Sequence, residues 1–386
     1  MNMENIFASR SYHLKDDTKN DVRRQQVYSI SKEFPCRTEA GSPGSRSAIR
    51  PTSVHQLRPG DIDVVAAMGD SLIAGNGAVE SFAMGAIFEH RGVSWCAGGQ
   101  GSWRKYLTLP NILKEFNPNL LGYSNGSGDF LSSNSRLNVA IPISATEDAL
   151  QQAKLLVSRM KNDPKIDFYK HWKMVTIMFG ANDLCSSQCF NRKKGSATQH
   201  QRFLRGALDY LHKYLPRTFV NLVPVIDVTI SVRIKRTRTC RLLHNLFCMC
   251  FHWGGDDINT IAKLVQKYQS AINQLVSSGR YDTKEDFTVV LQPFIQSLNV
   301  PLDKHLLQME AIHISYITHD CFHFSQKGHA LAANLLWNNV LEPVGNKSQQ
   351  LLNYIMEKIN CPSTEAPYLF TNINSQKFLE SGRQML

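Results

Sequence analysis

The strongest constraint on this 386-residue chain is a short apolar run that stops at a glycine and a polar cluster, and then recurs. Ile62-Asp63-Val64-Val65-Ala66-Ala67-Met68 fits a buried parallel strand, and it ends in Gly69-Asp70-Ser71-Leu72. Met174 to Phe179 stops at Gly180. Phe219 to Ile226 is interrupted by Pro224, which predicts a strand end or bulge, and Phe287 to Leu291 is a further strand. Helical patterns lie between them. Thr146 to Met160 opens on the acidic cap region Thr146-Glu147-Asp148, and Phe203–Leu215, Ile258–Ser277 and Gln326–Val340 follow. Strands alternating with helices predict an α/β fold: a three-layer, doubly wound parallel sheet. Ligands of such sheets bind at the carboxyl ends of the strands. Gly69-Asp70-Ser71, Gly180-Ala181-Asn182-Asp183 and the loop before Asp320 can all meet there.

Composition narrows the options. Hydrophobic residues at 42% can bury a sizeable core, and charged residues at 19% exclude a chain disordered throughout. Residues 1–60 are polar and broken by Gly41-Ser42-Pro43-Gly44-Ser45, which predicts a disordered tail and linker. The globular domain is expected over 61–345, with a C-terminal extension over 346–386. Forty-three Lys and Arg against 32 acids give a formal charge of +11, which favours anionic partners. No zinc finger, RNA-recognition signature or GxxxxGK[ST] loop is present, so the expected partner is a membrane surface and not nucleic acid.

Nine cysteines stand at 36, 96, 185, 189, 240, 248, 250, 321 and 361. Several fall in expected loops beyond strand ends, which suits disulfides in an oxidising compartment. The competing zinc reading lacks the C-x-x-C pairs of zinc ribbons. The first twenty residues contain no apolar h-region, and no stretch reaches the roughly 20 apolar residues of a membrane span. Two readings remain: a cytosolic chain with reduced thiols, or a fragment, isoform or misassigned start of a longer secretory protein. The second is favoured. In that setting Asn125-Gly126-Ser127 and Asn346-Lys347-Ser348 are candidate glycosylation sites. Residues 231–253 combine Arg233, Lys235, Arg236, Arg238 and Arg241 with Phe247, Phe251, Trp253 and three cysteines. They read as a solvated, disulfide-stapled insertion, or more sharply as a lipid-facing lid.

Three clusters carry chemistry. A serine hydroxyl needs a base to become a nucleophile and nearby donors for the developing oxyanion. Ser71 follows a strand, Gly69 permits a tight turn, and a helix starting near Leu72 would aim its first N–H groups at the same spot. An Asn182 amide can donate to an oxyanion, although an Asx-turn explains Asn182-Asp183 equally simply. Asp320 stands three residues before His323, where a carboxylate can orient an imidazole and stabilise its protonated form. Each cluster alone is weak; their order, at the ends of expected strands, is specific.

Together they resemble the GDSL, or SGNH, hydrolase family: Gly-Asp-Ser-Leu near the start, Gly-x-Asn-Asp in the middle and Asp-x-x-His near the end. The resemblance implies a flavodoxin-like SGNH fold, with Ser71 as nucleophile, His323 as base, Asp320 as its orienting acid and Asn182 and the Ser71 N–H as oxyanion donors. It implies no metal and no cofactor. Pro51 to Gly60, Leu109 to Pro118, Ser278 to Phe287 and Leu336 to Gly345 are further similar to repeats of the membrane-associated phospholipase B family, from about 51 to about 370. That family cleaves acyl esters of phospholipids and lysophospholipids, and also retinyl esters. Its members carry several tandem repeats and a C-terminal anchor, at the cell surface. This chain is expected to hold one repeat, without an anchor, as a monomer.

One block departs from the pattern. Asn138-Val139-Ala140-Ile141-Pro142-Ile143-Ser144 places Ile143 where the family has an oxyanion-hole glycine. A β-branched residue resists positive φ, so the donor is expected to turn away and lower kcat. Three functions are therefore weighed: an active lipid esterase, which leads; a catalytically weakened, lipid-binding relative; and a carbohydrate esterase of the same fold.

Overall fold

The computed structural model describes residues 22–233, 238–251, 257–299 and 313–383. Four strands, β1 (Ile62–Gly69), β2 (Trp172–Met178), β3 (Thr218–Leu222) and β4 (Phe287–Leu291), pair in parallel in the order β1-β2-β3-β4. All are buried on both faces except at Leu291, as their near-continuous apolar runs require. β3 ends at Leu222, two residues before Pro224, which has no N–H to continue the ladder.

The free edge of β1 is filled by irregular chain. Val65 N–H donates to Leu121 O, Ala67 N–H to Leu137 O, Val139 N–H to Ala67 O and Ile141 N–H to Gly69 O. With 137–141 taking a strand's place, the spatial order is the flavodoxin-like 2-1-3-4-5, and the end of β1 is its switch point. Helices cover both faces. Ala149–Asn162 and Ala197–Tyr214 pack one side, against Val64, Ala66, Met68, Val175 and Ile177. Leu109–Phe116 and Gln326–Val340 pack the other, against Val65, Ala67, Met174 and Phe219. Ile258–Ser277 lies across the boundary, contributing Ile261 and Val265 to one cluster and Ile272 and Leu275 to the other. The three-layer α/β expectation holds.

The expected disordered tail needs correction. From residue 22 to 60 the chain is a strap packed on the domain. Gln25 is buried, accepts from Leu107 N–H and donates to Trp103 O, while Gln326 Oε1 accepts from its N–H. Ser47 donates through both N–H and Oγ to Asp61, and Trp172 Nε1 donates to Pro51 O. Polar composition hid this because the strap's anchors are scattered: hydrogen bonds to other loops, and single apolar side chains such as Phe34, Val54 and Leu57 that pack on the core without a periodic pattern. Residues 1–21 lie outside the described set. The C-terminal extension is tied down as well: Leu369 N–H donates to Leu57 O, and Thr371 Oγ1 pairs with His55 Nδ1 at 2.8 Å.

Eight cysteines form Cys36–Cys361, Cys185–Cys248, Cys189–Cys250 and Cys240–Cys321, leaving Cys96 a buried free thiol. Three of these bridges staple the 238–251 region to the loops after β2 and before Gln326–Val340. Of the basic, aromatic insertion, Lys235, Arg236 and Trp253 lie outside the described residues. Its described core is the helix Arg238–Phe247, with Leu242 and Phe247 exposed. Both glycosylation candidates, Asn125 and Asn346, are exposed.

Candidate active site

β1 delivers Ser71 at the switch point. Gly69 is forced there by close approach, since a Cβ would lie 2.4 Å from Met178 O. Asp70 caps the following turn through Oδ1 on Leu72 N–H. The helix expected from Leu72 is only one turn, Ser71–Ala74, because Gly75 enters the left-handed region at φ 80° and ends it. Asn138 Nδ2 and Ser94 Oγ both donate to Ile73 O, and Trp95 Nε1 donates to Leu72 O, so the turn is fixed from below.

His323 arrives from a tight loop before the Gln326–Val340 helix. Its Nε2 lies 2.8 Å from Ser71 Oγ and its Nδ1 lies 2.5 Å from Asp320 Oδ2. Asp320 Oδ1 accepts from Phe322 N–H, His323 N–H and the Thr318 hydroxyl. Burial opposes the carboxylate, but the imidazole and these donors outweigh it and hold Asp320 well below the usual carboxylate range. Burial likewise opposes the imidazolium of His323, yet Asp320, with a contribution from Asp70, raises its pKa. Asp70 itself is pushed up to about 7 by burial, and its Oδ2 has no hydrogen-bond partner. Cys321, at φ 62°, is bridged to Cys240, which holds this loop against the Arg238–Phe247 helix.

The oxyanion residues are arranged differently from expectation. Asn182, after β2, is close to Ser71 as predicted, but both of its Nδ2 bonds are spent on the Pro142 and Ser144 carbonyls, each at 2.9 Å. Ser71 N–H also donates to Pro142 O, at 3.2 Å. Ile143 does not reach into the site: its side chain is 86% exposed. Its bulk therefore does not narrow the pocket.

Four contributors escaped the sequence reading. Thr318 and the Cys240–Cys321 bridge hold the Asp320–His323 loop; neither carries a local signal. Thr146 donates to Asp183 through N–H and Oγ1 and pairs with His200, locking the 144–146 segment to the turn after Asn182. Arg91, fully buried, donates to Asn138 O and Ala140 O. A charged residue in an unremarkable loop gives no sequence sign of that role. Among the described residues no group of three His, Cys, Asp or Glu could hold a metal.

Beside the site runs an apolar cleft. Leu72, next to the serine in the chain, and Phe322, next to the histidine, line it together with Phe294, Ile295, Leu335 and Leu352. The arrangement supplies a hydroxyl on a base, a buried carboxylate behind that base, and an apolar cleft lined by the chain neighbours of both. Such a set can transfer an acyl group.

The family model for GDSL-like lipase/acylhydrolase matches residues 65–336. The chain is 42% identical over 337 residues to membrane-associated phospholipase B1 of Rattus norvegicus, covering 85% of this chain and 23% of that protein. It is 41% identical over 350 residues to the Homo sapiens protein of the same name, covering 89% and 23%. The chain thus spans about a quarter of the length of these relatives. Among solved structures, a catalytic mutant of an acetylxylan esterase from Geobacillus stearothermophilus aligns at 14% identity with a TM-score of 0.38, covering 69% of this chain and 89% of that one. On the family match and the relatives together, this chain belongs to the GDSL-like lipase/acylhydrolase family.

Proposed function

We propose that the chain is a lipid-ester hydrolase of phospholipase or lysophospholipase type, working through an acyl-enzyme on Ser71. The observation that carries this reading is the unbroken hydrogen-bond chain from Ser71 Oγ through His323 to Asp320, beside an apolar cleft lined by Leu72 and Phe322. Ser71 attacks the acyl carbonyl while His323 Nε2 takes its proton. Asp320 stabilises the imidazolium, which then protonates the leaving alcohol. Water repeats the sequence to release the acid. The cleft receives the acyl chain, which favours a long chain over an acetyl group.

A membrane surface is the proposed partner. The relatives are named membrane-associated. Ile143 and Phe190 are exposed on loops, and Leu242 and Phe247 are exposed on the Arg238–Phe247 helix together with Arg238 and Arg241. Apolar side chains flanked by cations suit an anionic lipid interface. Four disulfides suit an extracellular or cell-surface setting. The reading is tested by comparing a lysophospholipid with an acetylated sugar, with Ser71→Ala as control. Ser71-dependent release of fatty acid supports it. Turnover confined to the acetylated sugar would transfer the chain to the carbohydrate esterases.

The raised pKa of His323 predicts the pH profile. The base must be neutral, so kcat/KM should rise with pH through the folded value, above the ordinary imidazole pKa of ~6.5. Because the Asp70 charge contributes to that rise, Asp70→Asn should shift the acid limb to lower pH. An acid limb already below the ordinary value in the wild-type protein would contradict this electrostatic account.

A further inference from the structure

Ser71 N–H and Asn182 Nδ2 converge on one point beside the Ser71 hydroxyl, where a tetrahedral oxyanion would sit. That point is occupied by a backbone oxygen of the same chain, Pro142 O, at 3.2 and 2.9 Å from the two donors. We infer that the Pro142–Ile143 peptide is a backbone latch: at rest its carbonyl fills the oxyanion hole, and turnover requires that single peptide plane to flip. The inference rests on the esterase reading above.

The turn chemistry explains why the latch is closed. Ser144 N–H donates to Ile141 O at 2.9 Å, so Ile141 to Ser144 is a β-turn with Pro142 and Ile143 at its centre. The two common turns that favour proline first differ by rotation of the central peptide; one of them needs positive φ at the second central residue. Among the described residues the non-glycine residues with positive φ are Arg136, Arg217, Cys321 and Met356, and Ile143 is not one of them. The turn is therefore of the first type. Across a trans peptide the C=O and the next N–H point in opposite directions. With Pro142 O turned into the hole, the Ile143 N–H is turned out of it. The flip would withdraw the carbonyl, bring in that N–H and free the Ser71 N–H and one Asn182 N–H, but it demands positive φ from a β-branched residue.

The frame around the peptide leaves little else to move. On one side, Ile141 N–H is held by Gly69 O, and Arg91 grips Asn138 O and Ala140 O. On the other, Gln152 Nε2 donates to Ser144 Oγ and Thr146 is locked to Asp183. The plane between residues 142 and 143 can rotate while these bonds stay made. The exposed Ile143 side chain offers no packing that resists the rotation, so backbone preference decides it.

The test uses the whole chain with Ile143→Gly and Ile143→Ala, a nitrophenyl ester and a fluorophosphonate that labels Ser71. Glycine takes positive φ freely; alanine removes the bulk but keeps the Cβ. Ile143→Gly should raise kcat by about 10-fold or more with KM changed less, as for a contact made in the transition state. Ile143→Ala should gain only a small part of this. Asn182→Ala should cost on the order of 100-fold in the Ile143→Gly background, where its amide is free to bind the oxyanion. Equal gains for glycine and alanine would assign the effect to bulk and overturn the latch. So would an unchanged or lower kcat in Ile143→Gly with Ser71 still labelled. Absence of both labelling and turnover in every variant would instead overturn the esterase reading, and the latch with it.

Discussion

Ser71→Ala and His323→Ala should each lower ester turnover by about 10⁴–10⁶-fold, and the double variant should be little worse than either. The three groups lie on one hydrogen-bond path: Ser71 Oγ to His323 Nε2 at 2.8 Å, and His323 Nδ1 to Asp320 Oδ2 at 2.5 Å. Removing either end of the first contact leaves no nucleophile or no base, so the losses overlap and do not multiply. Asp320→Asn should cost on the order of 10⁴-fold, since an amide there can hold the wrong tautomer of the imidazole. The expected starting rate is that of an enzyme with a filled oxyanion hole, so the measurable span is set by the Ile143→Gly background. Ser71→Ala removes a hydroxyl whose side-chain hydrogen bond is to His323, and thermal stability should change little. Calorimetry alongside the rate assay separates loss of chemistry from loss of fold. Substantial turnover by Ser71→Ala would remove Ser71 from the mechanism.

Breaking the Cys36–Cys361 bridge should destabilise the domain by about 2–5 kcal/mol, the usual range for a native disulfide. The bridge spans 325 residues, and the chain-entropy cost of leaving the unfolded ends free grows with loop length. The other three bridges lie inside that span and shorten its effective length, which keeps the expectation within the usual range. The bridge joins the 22–60 strap to the C-terminal extension. Phe34 packs edge-on to Trp103 and Phe116, Phe116 stacks on Trp337, and Trp337 Nε1 donates to Asn360 O. Cys36→Ser with Cys361→Ser should therefore lower Tm by about 5–15 °C, taking roughly 2–4 °C per kcal/mol for a domain of this size class. Ester turnover well below the transition should be nearly unchanged, because neither cysteine touches the site. A Tm unaffected by the double substitution would show that the strap is held by its hydrogen bonds alone.

Much of the site was legible because its parts sit at strand ends. Gly69-Asp70-Ser71 and Gly180-Ala181-Asn182-Asp183 each follow an apolar run that can only be a buried strand, and Asp320 and His323 are close in the chain. Their meeting place follows from the parallel sheet. Thr318, Arg91 and the Thr146–Asp183–His200 cluster were not legible. Each acts through a contact between segments far apart in sequence, and ordinary residue types at unremarkable spacing carry no trace of it. The 22–60 strap was misjudged for a related reason: composition reports whether a segment can build its own core, not whether it can lie against another.

The sequence by itself determined the strand and helix order, and it singled out Ser71, His323 and Asp320 as one set and Ile143 as the departure from the block it resembles. These are properties of local pattern and of motif order. Only the tertiary structure decided which cysteines pair, how the termini close on the domain, and what Ile143 does. From the sequence, Ile143 could either crowd the pocket or turn its donor away. The fold places its side chain in solvent and the preceding carbonyl on Ser71 N–H and Asn182 Nδ2. The physical reason is that a backbone torsion preference becomes a functional property only when the segments on either side are fixed. Gly69, Arg91, Gln152 and Asp183 fix them here, so the choice of turn at 142–143 alone sets whether an acceptor or a donor faces Ser71.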